Sequence, residues 1–474
     1  QINYPLLSIS ERMTGIDVSL SYHSSGIRVD ETASWVGLGW SLNAGGIISR
    51  RMNGNPDDIL NSVANGFLAL REEFSYEDVI EEFDDENELL ALNLVEGCKD
   101  MQPDEFYFSV GGYSGTFAFD WNPNAEPVVS SIHDVKVERI LPVNLNDPTI
   151  ASSIKGWKLT MPDGSIYLFE KQELTTTEGK LGKQGNALTC SGEEMEYVSS
   201  WHLTEIRSAY DQEIITLSYV PYHMEINWNE SFSTRLGTVS NPPACPNGGI
   251  QAVGAPSASN VKIVGQRLTE VQSEICKIRF IPEANLRADI GDCPSCGTNT
   301  DMYALSSLEM RERTNNRLIK KWNFSYSYRN NSTGIGSRLM LDGLTEIGVY
   351  RETKPGYQFA YNSNSLPDEK SYAKDHWGYY NMANQNPHMI PSYVHFGIGF
   401  YAYFDGADRE PSLQGSLANV LEKITLPTGG TQEFEYELHT YGTVYKQAIT
   451  SLQPYVINPQ TYNDGKAANA SQPG

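Results

Sequence analysis

Apolar and polar positions alternate with period two along most of the chain, which predicts strand after strand. Val18, Leu20 and Tyr22 alternate with serines; Ser24-Ser25-Gly26 interrupts them, and Ile27 and Val29 are expected to begin the next strand. The first residues, QINYPLLSI, read the same way. In DEFYFSVGGYSGTFAFDW, Phe106, Phe108 and Val110 lead to Gly111-Gly112 and resume as Phe117 and Phe119, a hairpin pattern. WKLTMPDGSIYLFE repeats it with Pro162-Asp163-Gly164 as the turn, proline presetting φ and glycine accepting the positive φ that follows.

One stretch departs from this habit. From Glu72 to Glu88 the chain carries ten acidic residues and no basic one, and Phe74, Val79, Ile80, Phe83, Leu90 and Leu94 make a loose helical stripe. A short acidic helix inserted between strands is expected. A calcium loop is the functional alternative, but the ordered aspartate spacing it needs is missing.

A loose repeat runs through the rest. Leu203-Thr204-Glu205-Ile206 precedes Leu217-Ser218-Tyr219, and Leu268-Thr269-Glu270-Val271 precedes Ile278-Arg279-Phe280. Leu344-Thr345-Glu346-Ile347 precedes Phe359-Ala360-Tyr361, Leu421-Glu422-Lys423-Ile424 precedes Phe434-Glu435-Tyr436, and a weaker copy pairs Leu305 to Leu308 with Phe324 to Tyr326. Each copy is an apolar-x-x-apolar strand, a turn, and an alternating strand ending in an aromatic. A single hairpin cannot bury its own face, so the copies must stack into a continuous sheet. The expected fold class is all-β, many stacked antiparallel hairpins with the acidic helical insertion. The expected segments are opening strands over 1–71, the insertion over 72–100, hairpins over 101–240, a cysteine-containing loop over 241–300, repeat hairpins over 301–440 and a loop-like tail over 441–474.

SWVGLGWSLNAGGIISR, from Ser34 to Arg50, sets two tryptophans among glycines. Trp35, Gly37, Gly39, Trp40, Gly45 and Gly46 are the structural candidates: absent side chains would let an indole lie against a neighbouring backbone, at a tightly packed strand junction.

Four of the six cysteines, Cys245, Cys276, Cys293 and Cys296, fall in one loop-rich region and read as local disulfides in an exported chain. A zinc knuckle is the alternative, but it normally uses two close pairs. The formal net charge of −24 over 474 residues excludes a nucleic-acid backbone or an anionic membrane as a natural partner. The apolar run YVHFGIGFYAYF is too short for a membrane-spanning helix.

The repeat resembles a degenerate Rhs or YD-repeat hairpin, with Tyr210-Asp211 the nearest approach to the full signature. SLSYHSSGIRVDETASWVGLGWSLNAGGIISR resembles the opening region of large secreted Rhs-repeat proteins of Bacteroidota, and more distantly the N-terminal module of the insecticidal toxin-complex B component. PDEFYFSVGGYSGTF, KDHWGYYN and LPTGGTQEFEYE look like the same family. The resemblance implies part of a cocoon-like β shell, an extracellular location, export with type IX secretion as one route, and a chain continuing into YD repeats and a C-terminal effector. Its partners would be the rest of its own chain and the secretion machinery.

Catalytic motifs are missing: no nucleophile elbow, phosphate loop or zinc-binding H-E-x-x-H occurs. Asp375-His376 is the most suggestive pair, but neighbours in a strand face opposite ways unless a turn intervenes. No enzyme activity, cofactor or metal is expected. The function expected is that of a structural, non-catalytic N-terminal part of a shell that encapsulates or displays a toxin or other effector. The alternative is an extracellular adhesin or glycan-binding protein, with Trp377, Tyr379 and Tyr380 as stacking residues against sugar rings; aromatics fill sheet faces anyway.

Overall fold

The computed structural model describes residues 2–58, 66–73, 100–124, 126–143, 152–178, 195–210, 213–232, 234–236, 250–253, 257–290, 301–329, 337–397, 400–404 and 406–438. Residues 1–435 form one compact unit and 436–474 a second; the elements below belong to the first.

Alternation becomes antiparallel sheet almost everywhere. Strands β1 (Ile2–Ser10), β2 (Gly15–Tyr22) and β3 (Trp40–Ala44) make a three-stranded sheet in that order. At Gly45 the chain turns into β4 (Gly46–Arg51), which belongs to the large sheet. There it pairs with β5 (Glu105–Val110), which continues through β6 (Tyr113–Ala118) to β7 (Val128–Ser130). The Gly111-Gly112 turn joins Val110 to Tyr113 with positive φ at both glycines, the geometry a two-residue hairpin needs. Helix α1 spans Phe67–Glu73, with Phe67, Leu68 and Leu70 as its buried face; the acidic helix expected over 72–100 falls on residues 74–99, which lie outside the described residues.

The long strands follow: β8 (Lys136–Ile140), β9 (Gly156–Thr160), β10 (Ile166–Glu178), β11 (Met195–Arg207), β12 (Ile214–Ser231), β15 (Ser257–Gln272), β16 (Cys276–Leu286), β17 (Tyr303–Glu312), β18 (Leu318–Arg329), β19 (Arg338–Ile347), β20 (Tyr357–Tyr361), β23 (Leu421–Thr425) and β24 (Thr431–Glu433). Consecutive members of this series pair antiparallel, so they form one sheet of stacked hairpins. It closes on itself where β15 bonds β10 as well as β12, through Leu174↔Val264 to Glu178↔Asn260, and β11 also bonds β4. Two small hairpins, β13 (Thr234–Leu236) with β14 (Ile250–Val253) and β21 (Tyr393–Gly397) with β22 (Phe400–Phe404), stand apart, as does the short helix α2 (Leu413–Ser416).

Antiparallel order sorts the connections. From β9 onward the tight turns, including 161–165, 273–275, 313–317 and 426–430, share one rim, while β16 and β20 end, and β17 and β23 begin, at the other. The core lies between the two sheets and beneath β4–β11. One centre is aromatic: Phe106 meets Phe117 at 5.1 Å and Trp157 at 5.0 Å, and Trp157 meets Trp201 at 5.6 Å. No described helix is long and apolar enough to cross a membrane.

Candidate functional site: the bulge seam and the glycine-tryptophan loop

The repeat poses a geometric problem. Residues three apart in a flat strand face opposite sides, yet both apolar positions are buried in four of the five copies, Ile347 being the exception. A one-residue β-bulge resolves it. In β11 the register passes from Leu203↔Phe169 to Glu205↔Leu168, so Thr204 is the extra residue and Leu203 and Ile206 share a face. Thr269 in β15, Ser306 in β17, Asp342 in β19 and Glu422 in β23 occupy the same place. The leucine before each bulge is buried, as is the apolar residue three positions later. In β19 that pair is Leu341 and Leu344, so the motif sits three residues earlier than the sequence pattern placed it. Across each bulge stand alternate residues of the strand before it, such as Tyr361 and Phe359 opposite Leu421 and Ile424.

A bulge leaves backbone groups outside the ladder, and buried backbone groups need partners. Tyrosine hydroxyls supply several. Tyr219 donates to the Leu203 carbonyl at 2.7 Å, Tyr326 to Leu305 at 2.8 Å and Tyr361 to Leu341 at 2.6 Å. Each tyrosine comes from the strand that follows the bulged one. Burial raises the pKa of all three phenols, so they stay protonated and able to donate. Thr204 and Thr269 turn their own hydroxyls to Leu168 and Ser218 carbonyls, at 3.0 and 2.9 Å.

The glycine-tryptophan loop lies on this seam. Between Tyr22 and Trp40 the chain forms no strand: Ile27 and Val29, expected to begin one, are buried in an irregular loop. That loop bonds the bulged strands instead. Leu305 N donates to the Trp35 carbonyl at 2.9 Å, and Leu38 N to the Leu339 carbonyl at 2.8 Å. Arg338, fully buried, donates to the Val29 carbonyl at 2.7 Å, and Arg287 to the Ser34 carbonyl at 3.1 Å.

The two glycines of the loop make room for a backbone and for a phenol, where an indole was expected. A Cβ on Gly37 would stand 2.9 Å from the Leu341 nitrogen, and one on Gly39 2.8 Å from the Tyr22 ring; both residues have positive φ. Trp40 is 1 % exposed, packs 5.0 Å from Tyr22 and 4.6 Å from Phe359, and donates its indole N–H to the Tyr361 hydroxyl at 2.8 Å. Trp35 stacks on Phe280 at 6.1 Å. At the corner, a Cβ on Gly45 would meet Leu217 and one on Gly46 would meet Val110.

A second constellation escaped the sequence reading. The Arg50 side chain, wholly buried, lies between Asp58 at 2.5 Å and Asp104 at 3.5 Å, over the rings of Phe106 and Trp201. Asp57 N donates to Asp104 at 3.1 Å and Asp104 N to Asp57 at 3.0 Å, while Asp100 accepts from Asn55 N at 2.8 Å. The cluster ties together the two stems of the acidic insertion. Burial, reinforced by the Asp104 charge, holds the Asp57 pKa well above the usual carboxylate range; burial brings Asp104 up to about 6. Asp57-Asp58 and Asp104 flank the insertion in sequence, but nothing local says that they meet.

The remaining candidates scatter. Cys276 is a free, buried thiol, so the disulfide expected at it is absent; its neighbour is the Ser273 hydroxyl, and the short Ser273–Cys276 turn encloses it. Cys245, Cys293 and Cys296 lie outside the described residues. Asp375 caps a turn, accepting from Trp377 N at 2.8 Å and Tyr379 N at 3.0 Å, while His376 points to solvent. Trp377 is 46 % exposed, Tyr379 is half-buried against Gly26, and Tyr380 is buried with its hydroxyl on Asn384. Among the described residues no His, Cys, Asp and Glu group could hold a metal ion.

No protein-family model matches the chain, and no curated protein matches it. Among solved structures it is similar to a chain in the crystal structure of TcdB2-TccC3-TEV, at 13% sequence identity and a TM-score of 0.35, over 76% of this chain and 16% of that one. The chain thus spans about a sixth of the length of that neighbour.

Proposed function

We propose that this chain is a structural section of a β-shell wall, part of a secreted Rhs-type protein that encapsulates or displays a C-terminal effector, and that it catalyses no reaction itself. The observation that carries the reading is the bulge seam. Five bulged strands at equivalent places, three with the following strand's tyrosine on the bulge carbonyl, make a wall built by repetition of one unit. Bulges also bend a sheet and increase its twist, as a wall that curves around contents requires.

The test uses the whole open reading frame that contains this segment. Expressed intact and treated with trypsin, it should yield a folded shell whose enclosed polypeptide survives until the shell is denatured. Cleavage of the following polypeptide as fast as in a denatured control would sink the proposal, as would hydrolase activity of the 474-residue segment abolished by a point substitution.

A further inference from the structure

The sheet β1-β2-β3 ends at β3, and the outer side of β3 faces a cleft. The register runs Tyr22↔Trp40, Leu20↔Leu42 and Val18↔Ala44, and His23 N donates to the Gly39 carbonyl at 2.9 Å. Bonded and non-bonded pairs alternate in an antiparallel ladder. The bonded pairs after His23 with Gly39 are therefore Ser21 with Ser41 and Ser19 with Asn43. The backbone N–H and C=O of Leu42 and Ala44 consequently point away from β2, and among the described residues no strand pairs with that side of β3. Trp40 is covered at its end of the edge: its N–H reaches the Gly37 carbonyl at 3.2 Å, and its carbonyl accepts from Ser34 at 2.6 Å.

Leu42 and Ala44 line a cavity of about 900 Å3 between the small sheet and the large one, at the upper end of the size of ligand sites. Tyr222, Tyr303 and Arg267 line it as well. The Arg267 guanidinium lies over the Tyr303 ring at 5.1 Å and donates to the Asp301 carbonyl at 2.8 Å. Among the described residues no carboxylate lies within ion-pair distance of it, and the Asp301 charge compensates it only through space, so the guanidinium still offers N–H donors to the cavity. An open strand edge, aromatic side chains and an arginine outside any close ion pair are together the recognition set for an extended acidic peptide: main-chain bonds to the edge, side chains among the rings, a carboxylate on the arginine.

We propose that this cleft binds an extended polypeptide segment by strand addition to β3, with a carboxylate of the peptide on Arg267. The site needs nothing from the shell reading and stands or falls separately from it.

The experiment titrates the 474-residue chain against fluorescein-labelled Thr-Tyr-Thr-Tyr-Thr-Glu, read by anisotropy, with amide hydrogen exchange on the complex. Saturable binding should slow exchange at Leu42 and Ala44, and Arg267→Gln should weaken binding by about tenfold. A peptide with a C-terminal amide and one with Gln for Glu separate a terminal carboxylate from an acidic side chain. Leu42→Pro, which removes only an outward N–H, should abolish binding with the circular dichroism unchanged. If Leu42→Pro does not fold, the exchange data on the unmodified chain decide. Exchange at Leu42 and Ala44 unchanged at saturating peptide overturns the proposal, as does equal binding by the Arg267→Gln chain. Binding of maltohexaose in place of the peptide, without protection on β3, overturns it too.

Discussion

Tyr361 donates its hydroxyl to the Leu341 carbonyl at 2.6 Å while accepting the Trp40 indole N–H at 2.8 Å. One oxygen thus joins a bulge of the large sheet to the end of the small one, with all three groups buried. Tyr361→Phe keeps the ring and removes that oxygen, leaving a buried donor and a buried acceptor unpaired, at a cost of about 1–3 kcal/mol. Denaturant unfolding of both proteins measures it; a difference below about 0.5 kcal/mol would show that the hydroxyl is dispensable.

The bulges should matter as extra residues and not as side chains. Deleting Ser306 returns β17 to a flat register and turns Leu305 or Leu308 out of the core, so the shortened chain should be insoluble or lack near-ultraviolet dichroism. Ser306→Ala keeps the residue and should stay within about 0.5 kcal/mol of the parent. A folded deletion mutant would refute the seam as described.

Gly37 and Gly39 are predicted to tolerate nothing larger. Gly39→Val adds atoms at the Tyr22 ring and a β-branched side chain at positive φ, and should abolish soluble, folded protein. Gly112→Ala is the control, since nothing lies within 4 Å of its Cβ position; its positive φ alone should cost about 1 kcal/mol. Soluble expression and thermal melting of the two variants compare them.

The aspartate clamp predicts a pH dependence of definite sign. Carboxyls whose folded pKa is raised add stability that is complete below the ordinary value of 3.8 and is lost as pH rises, for Asp104 through about 6. Asp57 adds in the same direction. Asp57→Asn removes one charge and keeps an oxygen to accept from Asp104 N, so it should stabilise the protein at pH 7 relative to pH 4.5. Unfolding free energies of parent and variant at the two pH values check this; a variant less stable at both, by the same amount, contradicts it.

Cys276 should resist iodoacetamide in the folded protein, because it is buried and burial raises its thiol pKa. Peptide mass mapping should find it alkylated only after denaturation. Recovery of Cys276 in a disulfide-linked peptide would restore the first expectation.

Local pattern determined a good deal of this protein. Period-two alternation and the glycine and proline turns set the hairpins at 105–118 and 156–169, because strand and turn chemistry act over a few residues. The repeat was legible as a repeat. Its register was not, since a strand with apolar positions three apart is consistent with either face until the partner strand shows the extra residue. In β19 the bulge therefore falls at Asp342, and the buried pair is Leu341 and Leu344 where the pattern alone points to Leu344 and Ile347.

What only the tertiary structure decided are the meetings of distant residues. Ile27 and Val29 look like strand residues but lie in a loop, where Val29 N donates to the Gly378 carbonyl at 3.0 Å and the Val29 carbonyl accepts from the Arg338 side chain at 2.7 Å, partners 349 and 309 residues away. Trp40 meets Tyr361, 321 residues away, and Arg50 meets Asp104 across the insertion. Cys276 is a buried free thiol in the Ser273–Cys276 turn. Sequence alone specified most of the segments that become strands and singled out the glycines and tryptophans near residue 40. The order in which the sheet closes, and which backbone groups remain for tyrosines to satisfy, depend on burial and on hydrogen bonds between residues far apart in the chain.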